Sequence, residues 1–144
     1  MTVNLGDFRQ MATILIVDDD NLIRETLHEL LSEKHDCHTA DRAEQALAYL
    51  YIESYDVVVT DISMPGLSGR QLLSYIQAKH ATTPVIVISG MPSGADGREL
   101  VEAGAFAYFA KPFNLDEVES AVERAILHHQ QLAGEQQSLE SEPS

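Results

Sequence analysis

The sequence predicts an α/β fold, a doubly wound parallel sheet of five strands with helices on both faces, and three observations carry that prediction. Short, uninterrupted apolar runs recur along the 144 residues (Ile14–Val17, Val57–Val59 and Val85–Ile88), each too short for a helix and too uniformly apolar for a strand with one wet face. Between them lie segments whose apolar residues return at helical spacing. The connections are short, so strand and helix alternate; parallel pairing follows, and right-handed crossovers leave a two-sided sandwich.

Ile14-Leu15-Ile16-Val17 is the first strand. A helix over Leu22–Glu33 carries Ile23, Leu27, Leu30 and Leu31 on one side, and Asp20 suits its N-cap. Cys37–Ala40 is a weaker strand. Asp41 is expected to cap the second helix, with Glu44 completing a capping box ahead of a stripe of Ala43, Ala46, Leu47 and Leu50. Val57-Val58-Val59-Thr60 is the clearest strand. Met64-Pro65-Gly66 is turn chemistry, and Ser68 caps a third helix bearing Leu72, Leu73 and Ile76. Val85–Ile88 is the fourth strand. The fourth helix, around Ala95–Ala103, is weakly coded, because Gly94 and Gly97 each lower helix propensity by up to about 1 kcal/mol. Ala107-Tyr108-Phe109 is a short fifth strand. Asn114 and Glu117 repeat the capping-box pattern and open a last helix with Leu115, Val118, Val122, Ala125 and Ile126 on one face.

Residues 12–132 thus read as one folded domain. Residues 1–11 show no sustained period and are expected to form a flexible arm, although Met11 could itself be a start. Residues 133–144 are polar, acidic and poor in apolar side chains, the composition of a disordered tail.

Composition narrows the function. Nine Lys plus Arg against 23 Asp plus Glu leave a net charge of -14, a poor match to phosphate backbones or anionic membrane surfaces. The single cysteine, Cys37, supports neither an internal disulfide nor a thiolate metal cluster. No apolar run reaches the roughly 20 residues that span a bilayer, and no secretory signal pattern opens the chain. A cytoplasmic domain that binds neither nucleic acid nor membrane is the expectation.

In doubly wound sheets, ligands bind outside the carboxyl ends of the strands. The first strand ends in Asp18-Asp19-Asp20, the third reaches Asp61, the fourth Ser89, and the fifth leads within two residues to Lys111-Pro112. Carboxylates gathered at one edge repel and call for a cation; hard oxygen ligands of this kind suit Mg2+. A carboxylate beside a metal and an ammonium is available as a nucleophile toward a phosphoryl group, whose oxygens Lys111 and the Ser89 hydroxyl would stabilise. Each residue alone has a plainer reading, as a cap, a loop acid or a solvated cation. Four strand ends that each supply what one chemistry requires favour a phosphoryl-accepting aspartate site.

With those residues in view, the segments ILIVDDD, DVVVTDISMPGLSG, VIVISG and AGAFAYFAKPF resemble the receiver domain of two-component response regulators, over about Ala12 to Leu132. The resemblance implies a flavodoxin-like strand order of 2-1-3-4-5. It implies that Asp61 accepts a phosphoryl group from a histidine kinase or a histidine phosphotransfer protein. Asp18, Asp19, Asp61 and the backbone carbonyl of Ser63 would hold Mg2+, and Lys111, Ser89 and a cis Lys111–Pro112 bond would complete the site. Ser89 and Tyr108 match the family's switch pair, a hydroxyl that turns toward the phosphoryl group and an aromatic that swings inward. A downstream protein, or a second copy of the chain, would dock on the face built by the fourth helix, fifth strand and fifth helix. Ser63 and Met91 occupy the positions that influence self-dephosphorylation; neither side chain suits orienting a water, whereas Gly90 leaves the site open.

The expected function is therefore a stand-alone receiver, a phosphorylation-switched module rather than an enzyme of other substrates. One alternative is a receiver cut from a longer regulator with an output domain. The other is a haloacid-dehalogenase-like phosphatase, whose nucleophile would sit on the first strand in an Asp-x-Asp-x-Thr/Val pattern; here Asp18-Asp19-Asp20-Asn21-Leu22 lacks the Thr or Val. His35 and His38 flank Cys37 but lack paired thiolates for zinc, and His128-His129 are expected to complement the dipole near the end of the last helix.

Overall fold

The computed structural model describes residues 11–62, 69–90 and 94–141, over which strands and helices alternate. In order they are β1 (Thr13–Val17), α1 (Asn21–Leu31), β2 (Asp36–Ala40), α2 (Ala43–Ile52), β3 (Val57–Asp61), α3 (Gly69–Lys79), β4 (Val85–Ser89), α4 (Gly94–Glu102), β5 (Ala107–Ala110) and α5 (Leu115–Ser141). The sheet is parallel throughout, in the order β2-β1-β3-β4-β5.

Alternation of side chains along each strand divides the core in two. Leu15, Val17, Val58, Val85 and Val87 meet Ala46 and Leu50 of α2, Leu72 and Ile76 of α3, and Leu100 of α4 on one face. Ile14, Ile16, Val57, Val59, Ile86 and Ile88 meet Leu27 and Leu31 of α1 and Val118, Val122, Ala125 and Ile126 of α5 on the other. The continuous apolar runs of β1, β3 and β4 follow from this, since both faces of those strands are covered. Each fully buried Ile, Leu or Val contributes about 1.5–3 kcal/mol relative to exposure. β2 and β5 are the edges and are less buried.

Helix starts agree with the sequence at two ends and differ at one. Asp20 caps α1, its carboxylate accepting from the Leu22 and Ile23 amides at 2.9 and 3.4 Å. The Asn114 carboxamide accepts from the Glu117 amide at 3.1 Å, the cap half of the expected box. At α2 the cap position is Arg42, not Asp41, and the Asp41 amide donates to the Gln45 side chain at 3.0 Å. The expected box is not formed: Arg42 makes no side-chain cap bond, and the Gln45 side chain accepts instead from the amide of the residue before the cap. The Ser68 cap and the Met64-Pro65-Gly66 turn lie outside the described residues, as do residues 1–10 of the expected arm.

α5 continues to Ser141, through residues read as tail. Gln, Leu, Ala and Glu dominate this stretch, and once a helix is nucleated each added residue costs little. His128 and His129 are consequently internal to the helix rather than near its end. His129 Nδ1 lies 2.8 Å from the Thr82 carbonyl and Nε2 3.3 Å from Asp56, so it ties α5 to the segments preceding β4 and β3. His35, Cys37 and His38 do not converge. His35 accepts the Ala12 amide at 3.1 Å and meets Glu123 at 2.8 Å, whereas His38 lies on Tyr55 at 2.8 Å.

Candidate functional site

β1 and β3 are adjacent, so their carboxyl ends deliver Asp18 and Asp61 to the same edge. The Asp18 amide donates to the Ala40 carbonyl at 3.1 Å, carrying the β1–β2 ladder one residue past Val17. There the chain turns, and the Asp18 carboxylate accepts the Asp20 amide at 2.9 Å while Asp20 caps α1. Asp18 and Asp61 are buried, 1% and 4% exposed, whereas Asp19 is open to solvent. One carboxylate oxygen from each of the three lies within 4.8 Å of the others.

Lys111 arrives from β5. Its amide donates to the Ser89 carbonyl at 2.8 Å, extending the β4–β5 ladder, and the following Lys111–Pro112 bond is cis. Its ammonium lies 3.0 Å from Asp18 Oδ2 and 3.0 Å from Asp61 Oδ2, bridging the two buried carboxylates. Burial, the largest influence on Asp18, raises its pKa against the lowering effect of the Asp20 amide and Lys111. Burial would by itself lower the pKa of Lys111; the hydrogen bonds and charges of Asp61 and Asp18 outweigh it, and the net shift is upward.

Ser89 ends β4 and is buried, and Asp61 pairs with its neighbour Ile88. By strand alternation Ser89 shares the face of Val85 and Val87. Tyr108, opposite Val87, is half-buried against that same face, which α4 covers. The expected switch residues thus share one side of the sheet. Ser63 and Met91 lie outside the described residues.

One ammonium shared by two buried carboxylates beside a third, open carboxylate leaves the group short of positive charge. Its all-oxygen donors are those a small divalent cation takes, and Mg2+ fits. Two features escaped the sequence reading. An apolar groove of ≈570 Å³ adjoins Lys111, lined by Leu22, Ile23 and Thr26 of α1 with Gly90, Pro112 and Phe113. Arg24 of α1 donates from Nη1 to the Asp18 carbonyl at 2.8 Å and from Nη2 to the Asn21 side chain. Its spacing of three from Asn21 on a helix was the available signal.

Comparison with known proteins agrees with this fold. The family model described as response regulator receiver domain matches residues 14–123. The chain is 37% identical over 123 residues to the DNA-binding transcriptional regulator NtrC of Salmonella typhimurium, covering 85% of this chain and 26% of that protein. It therefore spans about a quarter of the length of that curated relative. Among solved structures, a receiver domain of the Francisella response regulator 1452 superposes with a TM-score of 0.74 at 30% identity, covering 84% of this chain and 98% of that one. NtrX from Brucella abortus, in complex with ADP, superposes with a TM-score of 0.82 at 34% identity, covering 90% and 30% respectively.

Proposed function

The chain belongs to the response regulator receiver family, and on that premise we propose that Asp61 is its phosphoryl acceptor and that phosphorylation switches its docking face. The observation that carries this reading is the Lys111 ammonium held 3.0 Å from both Asp18 and Asp61, with Asp19 completing the carboxylate group. A carboxylate oxygen of Asp61 attacks the phosphorus of a phosphohistidine on a histidine kinase or phosphotransfer protein. The P–N bond breaks, the imidazole leaves, and an acyl phosphate is formed. Lys111 would neutralise charge on the phosphoryl oxygens, and the Ser89 hydroxyl would donate one hydrogen bond. Asp18, Asp19 and Asp61, with the Ser63 carbonyl, would hold Mg2+, which when bound supplies charge neutralisation for the transferring group. Beyond its own phosphorylation and dephosphorylation the domain catalyses nothing in this reading.

The acyl phosphate adds nearly two negative charges and three acceptors. Ser89 answers by turning toward it, and the space vacated on the α4 side admits Tyr108. That repacking alters the α4–β5–α5 face, which docks a downstream protein or a second copy. The functional unit is residues 12–132, acting in the cytoplasm without contacting nucleic acid or membrane; no helix among the described residues is long and apolar enough to cross a bilayer. Output through a further domain on the same chain is supported by the greater length of NtrC. The mass of the endogenous protein separates that arrangement from a stand-alone receiver.

The test is intact-mass spectrometry after incubation with acetyl phosphate, with and without Mg2+, on wild type and Asp61→Asn. The expected result is one Mg2+-dependent phosphoryl adduct, absent from the variant. An unmodified wild type, or an adduct retained by the variant, overturns the assignment.

A further inference from the structure

We propose that Arg24 is a positioning residue for the cation site, stapling the β1–α1 turn so that the Asp18 and Asp19 carboxylates stay aimed at Asp61. The inference rests on the metal-dependent acceptor reading above. Asp18 is buried and sits one residue past the last register pair of β1, where the chain leaves the sheet. A buried backbone carbonyl at such a point needs a donor. Arg24 reaches back from the second turn of α1 and supplies it, Nη1 to the Asp18 carbonyl at 2.8 Å, while Nη2 holds the Asn21 carboxamide.

The remaining polar groups of Asp18 are held from other directions. Its amide goes to Ala40, one carboxylate oxygen takes the Asp20 amide, and the other takes Lys111. Among the described residues, it is the guanidinium that spans the turn, from its first residue to the first residue of α1. A planar fork with two fixed donors can bridge two acceptors this way, and a lysine ammonium cannot match that geometry. Arg24 is half-buried, as a structural clamp should be, whereas Asp19, carried on the same turn, is exposed, and among the described residues it is the turn that orients it.

Electrostatics alone predicts the opposite effect, which makes the proposal testable by sign. Arg24 is a cation near a cation site, so its charge opposes Mg2+ binding, and deleting it should tighten the metal if charge were all that mattered. If the staple matters more, Arg24→Ala weakens Mg2+ by roughly tenfold, the lower end for residues that orient metal ligands. Arg24→Lys, which keeps the charge and loses the fork, weakens it similarly.

The experiment is calorimetric titration of the unphosphorylated chain with Mg2+, for wild type, Arg24→Ala and Arg24→Lys. Circular dichroism in EDTA confirms that each is folded, and acetyl phosphate labelling is run in parallel. The expected result is a weaker Mg2+ affinity in both variants and labelling that recovers at higher Mg2+. Tighter or unchanged binding in Arg24→Ala, or wild-type affinity in Arg24→Lys, overturns the positioning role while wild type still binds and labels. A wild type that neither binds Mg2+ nor labels overturns the acceptor reading itself, and the inference with it. Should Arg24→Ala fail to fold, Arg24→Lys decides the matter.

Discussion

Lys111→Met puts the electrostatics of the site under direct strain. The ammonium lies 3.0 Å from oxygens of two carboxylates whose side chains are 2% and 4% exposed. At an effective dielectric of about 20, each contact represents roughly 5 kcal/mol of attraction, most of which is offset by the desolvation of the charges. Removing the ammonium leaves Asp18 and Asp61 with oxygens within 4.8 Å of each other, a repulsion of roughly 3 kcal/mol on the same scale. Protonation sets a ceiling, since neutralising a carboxyl of ordinary pKa 3.8 costs about 4 kcal/mol at pH 7. The expected loss in Mg2+-free buffer is therefore about 3 kcal/mol at pH 7, or roughly 10 °C in Tm for a chain of this size.

The pH dependence has a definite sign. Burial raises the pKa of Asp18 in the wild type, so above pH 3.8 the folded state binds more protons than the unfolded chain. Its contribution is thus complete below that pH and declines as pH rises through the folded-state value. Without Lys111 that value climbs further, so the deficit of the variant is small near pH 4 and widens toward pH 7. In the wild type the raised pKa of Lys111 works at the other end: its contribution is complete below 10.5 and lost as pH rises through the folded-state value. Urea unfolding of both proteins in EDTA, followed by circular dichroism at about pH 4.5 and pH 7, measures the difference. A variant as stable as wild type at pH 7, or a deficit that does not shrink in acid, would refute the reasoning.

Two further predictions concern metal and backbone. Mg2+ at about a hundred times its dissociation constant should stabilise wild type by about 2.7 kcal/mol and Asp61→Asn by less; equal shifts in urea midpoint would argue that the carboxylate group is not the binding site. Gly104 has φ 113°, and a Cβ there would lie 2.6 Å from the Gln77 amide nitrogen, which itself donates to the Gly104 carbonyl at 2.9 Å. Gly104→Ala should therefore cost about 1–2 kcal/mol through backbone strain even if Gln77 swings aside, and an unchanged thermal midpoint would contradict it.

How much of this was legible beforehand depends on how far apart in sequence the partners lie. The strands of the interior announced themselves, because a strand covered on both faces must be apolar at every position, as Ile14–Val17 and Val85–Ile88 are. The Asp20 and Asn114 caps were equally plain, each bonding within three residues of itself. The placement of the candidate site residues was legible for a related reason: a parallel sheet brings all its carboxyl ends to one edge, so locating the strand ends put Asp18, Asp61, Ser89 and Lys111 there. Local pattern was weaker at the start of α2, where Arg42 rather than Asp41 takes the cap position and Gln45 bonds the Asp41 amide.

What the tertiary structure decided lies in long-range pairings that no local pattern encodes. Lys111 and Asp61 meet across 50 residues, and His129 reaches Thr82 across 47. The sharing of one ammonium between Asp18 and Asp61 depends on the register of β1 with β3 and of β4 with β5, not on the identity of any one residue. Arg24 had no place in the sequence reading, and only the folded turn shows that it clasps the Asp18 carbonyl. A sequence specifies which side chains a strand end offers; only the packed sheet fixes which of them must share a charge.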